Sequence, residues 1–186
     1  TCIKAKAAFI DRDGVINEER NYVHHISDFV LMPGVIEGLQ LLRDAGYRLI
    51  VVTNQAGIAR GYYDHAEMDS LHDHMRELLA EHGVLLDAIY FCPHHPQGSI
   101  KDFAVECNCR KPSPGMLLQA AKDFNLDLAT CILIGDKLSD IRAGERAGVG
   151  CTVIVESGHE VERVARLEAD LVALDLLAAA KVLVSK

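Results

Sequence analysis

Six short apolar runs recur along the chain at wide spacing, at residues 6–10, 48–52, 88–92, 131–134, 152–155 and 170–173. Most are rich in Val and Ile, as strands buried on both faces are. Helical patterns lie between them. Residues 34–46 form one, closed by Gly46, and a terminal glycine ends a helix readily. Residues 65–82 form a longer one, followed by Gly83. The pattern over 114–124 starts on Pro114 after Ser113, a pair suited to the first helical position and its N-cap. The pattern over 139–147 ends at Gly148. Strand alternating with helix predicts an α/β fold, a doubly wound parallel sheet. Ligands of such sheets sit at the carboxyl ends of the strands, so the polar residues that follow each strand carry the functional information.

The 186 residues fit one domain, residues 1–186, with length enough for a proper core. Hydrophobic residues at 49% and charged residues at 25% are a soluble globular balance. The net charge of -8, without a Lys/Arg-rich run, argues against nucleic acid and against anionic membrane surfaces as partners. No stretch approaches the roughly 20 apolar residues that cross a bilayer. Residues 1–9 carry Lys4 and Lys6 with no cleavage pattern after them, so no signal peptide is expected and a cytoplasmic location is. The six cysteines are then expected as reduced thiols or metal ligands. An acidic protein that handles a phosphorylated substrate must attract it locally, through metal ions and a few placed cations.

After the first strand comes Asp11-Arg-Asp-Gly-Val15. Two carboxylates two residues apart at a strand end can point toward one site, and the glycine lets the chain turn away. Such a pair can hold a divalent cation, or divide labour between attack and proton transfer. An Asx turn is the plainer alternative. After the second strand, Thr53-Asn-Gln-Ala-Gly-Ile-Ala-Arg-Gly61 offers a hydroxyl and amides to phosphate oxygens, or simply a polar loop. Arg110-Lys111-Pro112 precedes the helix near Pro114, where Lys111 can neutralise a phosphate or be a solvated surface charge. After the fourth strand, Gly135-Asp-Lys-Leu-Ser-Asp140 puts Asp136 in the crevice of Asp11 and Asp13. Three converging carboxylates repel each other without a metal and suit Mg²⁺; as a helix N-cap, Asp136 would need neither.

Cys92-Pro-His94 and Cys107-Asn-Cys109 form two close pairs. Three cysteines and one histidine suggest a closed, structural Zn²⁺ site in a loop over about 92–109; the alternative is unrelated thiols and a histidine in a loop. The segment between the pairs is poor in apolar residues, and a metal clip would stabilise a loop that cannot bury itself. His94 is preferred over His95 because it repeats the one-residue gap of Cys107 and Cys109. Cys2, Cys131 and Cys151 are not expected to be ligands.

The order Asp-x-Asp, Thr, Lys, Gly-Asp-x-x-x-Asp, each after a strand, resembles the haloacid dehalogenase-like superfamily of phosphohydrolases over nearly the whole chain. The resemblance implies Asp11 as nucleophile and Asp13 as general acid/base. It implies that Thr53 and Lys111 bind the transferring phosphoryl, and that Asp11, Asp136 and the backbone carbonyl of Asp13 hold Mg²⁺. Asp140 is read as orienting the metal site from behind. About forty residues between Asp13 and Thr53 leave no room for a cap domain. Specificity is therefore expected from loops: Glu19, Arg20, Asn21 and Tyr22, then Asn54 and Gln55, then Arg110. Asp11-Arg-Asp-Gly-Val-Ile-Asn17, Tyr22-Val-His24, Thr53 to Gly61, Cys92-Pro-His-His-Pro-Gln-Gly98, Cys107-Asn-Cys-Arg-Lys-Pro112 and Gly135-Asp-Lys137 together resemble the D-glycero-D-manno-heptose 1,7-bisphosphate 7-phosphatases. That family makes nucleotide-activated heptose for bacterial surface glycans. The resemblance implies a small phosphorylated sugar as substrate, Lys137 among its contacts, and a monomer. Histidinol-phosphate phosphatase, a relative with a similar zinc loop, is the second reading; Arg110 favours the bisphosphate, because it offers a fork for a remote phosphate. A phospho-acceptor signalling domain is a reading from another class, against which Asp13 and the zinc loop count.

Overall fold

The computed structural model describes residues 3–185. Six strands, β1 (Ala7–Ile10), β2 (Arg48–Asn54), β3 (Ala88–Cys92), β4 (Ile132–Gly135), β5 (Cys151–Val155) and β6 (Leu171–Ala173), form one sheet in the order β3-β2-β1-β4-β5-β6. Every pairing is parallel. The six apolar runs are these strands, displaced at their ends by one or two residues.

Side chains alternate across the sheet, as a period of two requires. Ala8, Ile10, Leu49, Val51 and Ile134 face one layer, with Leu39 and Leu42 of α1 (Val35–Asp44), Met68, Leu71 and Met75 of α2 (His65–Ala80) and Ala179 and Leu183 of α6 (Leu176–Val184). Phe9, Ile50, Val52, Leu133 and Ile154 face the other, with Met116 and Leu117 of α3 (Gly115–Asp123), Ile141 and Ala147 of α4 (Leu138–Ala147) and Ala165 of α5 (Arg163–Glu168). Both faces are covered, which is why the strands read as continuous apolar runs.

Two local expectations are corrected. Ser113 does not cap α3: Pro114 holds the N-cap position without a side-chain bond. The chain there leans on the preceding loop instead, with Gly115 N donating to Asn108 O at 2.8 Å and Ser113 N to Arg110 O at 2.8 Å. Asp136 is not the cap of α4 either. Lys137 stands there, and the Asp140 carboxylate accepts from the N–H groups of Asp136 and Lys137 at 3.2 and 3.1 Å.

Among the described residues no cap domain interrupts the sheet. Between β1 and α1 the chain makes a loop with one 3-10 turn at Ile26–Asp28, and Asn21 and Tyr22 in that loop adopt positive φ of 51° and 57°. Between β3 and α3 runs the loop that carries His94, Cys107 and Cys109.

Candidate active site

Strands β2, β1 and β4 are neighbours in the sheet, so Thr53, Asp11 and Asp136 meet at one edge. The strand order changes direction between β1 and β4, which opens a crevice there. Lys111 reaches into it. Its Nζ donates to Asp11 Oδ1 at 3.0 Å, to Val52 O at 2.8 Å and to Asp140 Oδ1 at 2.5 Å. Three acceptors use all three ammonium protons. Burial alone would lower the Lys111 pKa, but the carboxylates of Asp11 and Asp140 overrule it and hold it above its ordinary value. At 3% exposure Lys111 is not a solvated surface charge.

Asp140 is saturated by Lys111 and two backbone N–H groups. Asp136 is the opposite case. Both of its carboxylate oxygens are buried without a hydrogen-bond partner. Burial, and then the charges of Asp11 and Asp140, push its pKa up to about 10. His159 Nδ1 stands 3.7 Å from Asp136 Oδ2. Gly14 and Gly158 press on the same carboxylate so closely that a Cβ on either would overlap it. Leaving such a group bare is costly. Asp11, Asp136 and Asp140 present oxygens within 4.8 Å of one another, and this donor set fits a hard divalent cation. The bare oxygens of Asp136 are the ones available to it.

Asp13 is held by three side chains. Asn17 Nδ2 donates to Oδ1 at 2.9 Å, Gln55 Nε2 to Oδ2 at 3.1 Å, and Arg12 Nη2 to Oδ1 at 2.9 Å. Burial raises its pKa, but the Arg12 charge and these hydrogen bonds outweigh that and leave it below its ordinary value. Gln55 Nε2 also donates to Thr53 Oγ1 at 2.8 Å, and Gln55 Oε1 accepts from the Tyr63 hydroxyl at 2.6 Å. Gln55 thus ties Asp13 to Thr53, which is itself only 1% exposed.

A cavity of about 620 Å³ opens over these groups. Glu19, Asn21, Tyr22, Asn54, Gln55, Arg110 and Lys137 line it along with Asp11, Asp13 and Lys111. Arg20 is not brought there; its guanidinium pairs with Glu18 at 2.7 Å on the exposed surface. The polar atoms of Asn54 are turned inward, its Oδ1 accepting from Lys111 N at 2.9 Å and its Nδ2 donating to Lys111 O at 3.1 Å. Arg110 Nη1 is buried without a partner, so the cavity wall holds an unspent donor. Arg12, Asn17, Tyr63 and His159 were not singled out from the sequence. A cation set between two aspartates was the available signal for Arg12; for His159, far along the chain after β5, there was none.

Cys92, His94, Cys107 and Cys109 converge, with donor atoms within 4.8 Å of one another. The sulfurs stand 3.6 Å apart for Cys92–Cys107, 3.4 Å for Cys107–Cys109 and 2.9 Å for Cys92–Cys109, and His94 Nδ1 lies 3.3 Å from Cys109 Sγ. No disulfide joins them. A tetrahedral ion with bonds of about 2.3 Å would hold its sulfurs roughly 3.8 Å apart, somewhat wider than they stand here, and three thiolates with one imidazole are a donor set suited to Zn²⁺. His95 is occupied elsewhere, its Nδ1 accepting from Gln97 N at 3.0 Å. Cys131 is buried, with Asp127 O and Ala7 N as partners, and Cys151 starts β5. Cys2 lies outside the described residues.

Fold and crevice together define a haloacid dehalogenase-like hydrolase. A family model described as HAD-hydrolase-like matches residues 108–179. The chain is 51% identical over 156 residues to the D-glycero-alpha-D-manno-heptose-1,7-bisphosphate 7-phosphatase of Photorhabdus laumondii, covering 84% of this chain and 85% of that one. It is 46% identical over 166 residues to the D-glycero-beta-D-manno-heptose-1,7-bisphosphate 7-phosphatase of Escherichia coli K12, covering 89% and 87%. A crystal structure of D,D-heptose 1,7-bisphosphate phosphatase from B. bronchiseptica, complexed with magnesium and phosphate, superimposes with a TM-score of 0.83 at 33% identity, over 97% of this chain and 98% of that one. This chain belongs to the family of D-glycero-D-manno-heptose-1,7-bisphosphate 7-phosphatases.

Proposed function

We propose that this chain removes the 7-phosphate of D-glycero-D-manno-heptose 1,7-bisphosphate, in the synthesis of nucleotide-activated heptose for surface glycans such as lipopolysaccharide. One observation carries the reading. Asp11, Asp13, Lys111 and Asp136 share one crevice in a chain 46–51% identical to such enzymes over most of its length. Asp11 attacks phosphorus, its Oδ–P bond forming as the bond to the sugar oxygen breaks. Asp13, a carboxylate at rest because its pKa is lowered, takes up a proton from solvent as the substrate binds, gives it to that oxygen, and later takes one from the water that cleaves the aspartyl-phosphate. Lys111 and Thr53 hold the transferring oxygens. Asp11, Asp136 and the backbone carbonyl of Asp13 would hold Mg²⁺, which when bound offsets charge on the phosphoryl group. Asp140 fixes Lys111 and the backbone behind Asp136, and is assigned no bond to the metal. Cys92, His94, Cys107 and Cys109 would hold a structural Zn²⁺, which steadies the loop leading to Arg110 and Lys111. The working unit is read as residues 1–186 in one domain, monomeric and cytoplasmic, with a phosphorylated sugar as its partner.

Arg110 is assigned the remote phosphate, on the strength of its unpaired Nη1 at the cavity wall. The test compares kcat/KM for both anomers of the bisphosphate, for histidinol phosphate and for an aryl phosphate, in wild type and Arg110→Ala. The bisphosphate is expected to lead. The substitution should cost it roughly 1.5–3 kcal/mol, about 10- to 150-fold, and cost a monophosphate far less. Equal losses would assign Arg110 to the transferring phosphoryl or to the fold, and faster hydrolysis of histidinol phosphate would overturn the substrate.

A further inference from the structure

Arg12 is the largest fully buried side chain of the described residues, at 0% exposure; it stands between Asp11 and Asp13 in the sequence and does not line the cavity. A buried guanidinium must satisfy five N–H donors. Here Nε donates to Asp13 Oδ1 at 3.3 Å. Nη2 donates to Asp13, at 2.9 Å from Oδ1 and 3.2 Å from Oδ2, and to Val23 O at 2.9 Å. Nη1 meets Met68 Sδ and His72 Nε2, each at 3.1 Å. Every N–H is used, and the planar fork cannot turn without breaking several of these bonds.

We propose that Arg12 is the positioning residue of Asp13, and that α2 sets its aim through Met68 and His72, one helical turn apart. Guanidinium only donates, so His72 must offer an unprotonated Nε2. Burial, reinforced by the Arg12 charge, lowers the His72 pKa to about 3, which keeps that nitrogen an acceptor in neutral solution. The Asp13 side chain is thus pinned from behind by Arg12 and from the flanks by Asn17 and Gln55, and retains 19% exposure on the side that faces the cavity. Proximity of this kind, rather than acidity, is what Arg12 supplies. A proton donor gains its effect only within hydrogen-bond reach of the departing oxygen.

The inference rests on the reading of Asp13 as the acid that protonates the leaving oxygen, and the test keeps the two apart. Proton donation matters for an alkoxide, which leaves poorly, and little for 2,4-dinitrophenolate, which needs no proton. The quantity is kcat/KM, which covers the chemistry through departure of that group, for a sugar 7-phosphate and for 2,4-dinitrophenyl phosphate. Asp13→Asn is the reference and should lose about 10²–10⁴-fold on the sugar phosphate and much less on the aryl ester. Arg12→Lys should show the same selectivity at about 10–100-fold, and should add almost nothing when combined with Asp13→Asn, because it acts through that carboxylate. Where Arg12→Lys does not fold, His72→Phe, which removes one of the two acceptors of Nη1 and leaves Met68 Sδ, should show the same selectivity in milder form. Equal losses on the two esters in the folded variant, or full additivity with Asp13→Asn, overturn the positioning role. A reference variant without selectivity overturns the reading of Asp13 instead.

Discussion

The carboxylates Asp11, Asp136 and Asp140 and the set Cys92, His94, Cys107 and Cys109 each gather their donor atoms within 4.8 Å, yet they are supported in opposite ways. In the oxygen cluster Asp11 and Asp136 follow the ends of β1 and β4 in the centre of the sheet and Asp140 lies in the first turn of α4, with all three residues buried. It is already braced by Lys111 and by the backbone of α4. The sulfur cluster starts from the end of edge strand β3 and is otherwise carried by an irregular loop, where His94, Cys107 and Cys109 are only partly buried. The first is a site the fold makes beforehand, which an ion can enter and leave. The second is a site in which the ion would itself complete the fold.

The largest effect should come from Asp11→Asn, which leaves the bracing in place and removes the nucleophile. Turnover is expected to fall by about 10⁴-fold or more, with circular dichroism and melting temperature near wild type. Near-normal activity in protein shown by mass spectrometry to be free of deamidation would exclude covalent transfer to Asp11. Next comes removal of the metals. Elemental analysis should find about one zinc per chain. Stripping it should lower the melting temperature and expose the loop to protease, whereas a mild chelator should stop turnover reversibly, with activity restored by Mg²⁺ and no loss of structure. Protein prepared without chelators and found free of zinc would erase the contrast between the clusters.

The smallest effect concerns pH, and follows from Asp136. Its ordinary value is 3.8, and in the folded, metal-free protein it is raised to about 10. Between those values the unfolded chain has lost this proton and the folded chain keeps it. The stability that this group contributes is therefore complete below 3.8 and is lost as the pH rises toward 10. In chelator, the melting temperature should decline across that window more steeply than for Asp136→Asn, and Mg²⁺ should flatten the decline. A wild-type curve parallel to that of Asp136→Asn would mean that the carboxylate is not strained by its neighbours.

Much of this was readable in advance where one residue type had one physical explanation. Apolar runs became strands because both sheet faces are covered, and the strand-end carboxylates met because β1 and β4 are neighbours. The four sulfur-cluster residues converge as their spacing required. Contacts between distant segments were less legible. Asn54 and Gln55, expected as donors to substrate, line the cavity, but the bonds of their amides to Lys111, Thr53, Asp13 and Tyr63 could not be read from the sequence. Arg20 sat in a promising loop, yet Glu18, two residues away, captures it. Arg12 escaped notice because its partners Met68 and His72 come from α2, and only the folded placing of that helix beside Arg12 reveals them.

The pair of hydrogen bonds from Asn54 to the peptide groups of Lys111 has a consequence for how such a molecule can diversify. The lysine beside Asp11 takes its bearing from the end of β2, a rigid element, as well as from the loop that delivers it. The tip of that loop, around Ser99 and Ile100, rests on Arg60 and Ala59 through one bond each and can change in length or composition while the lysine stays where it is. Descendants of this scaffold can thereby remodel the far part of that loop without re-inventing the chemistry at the floor of the cavity.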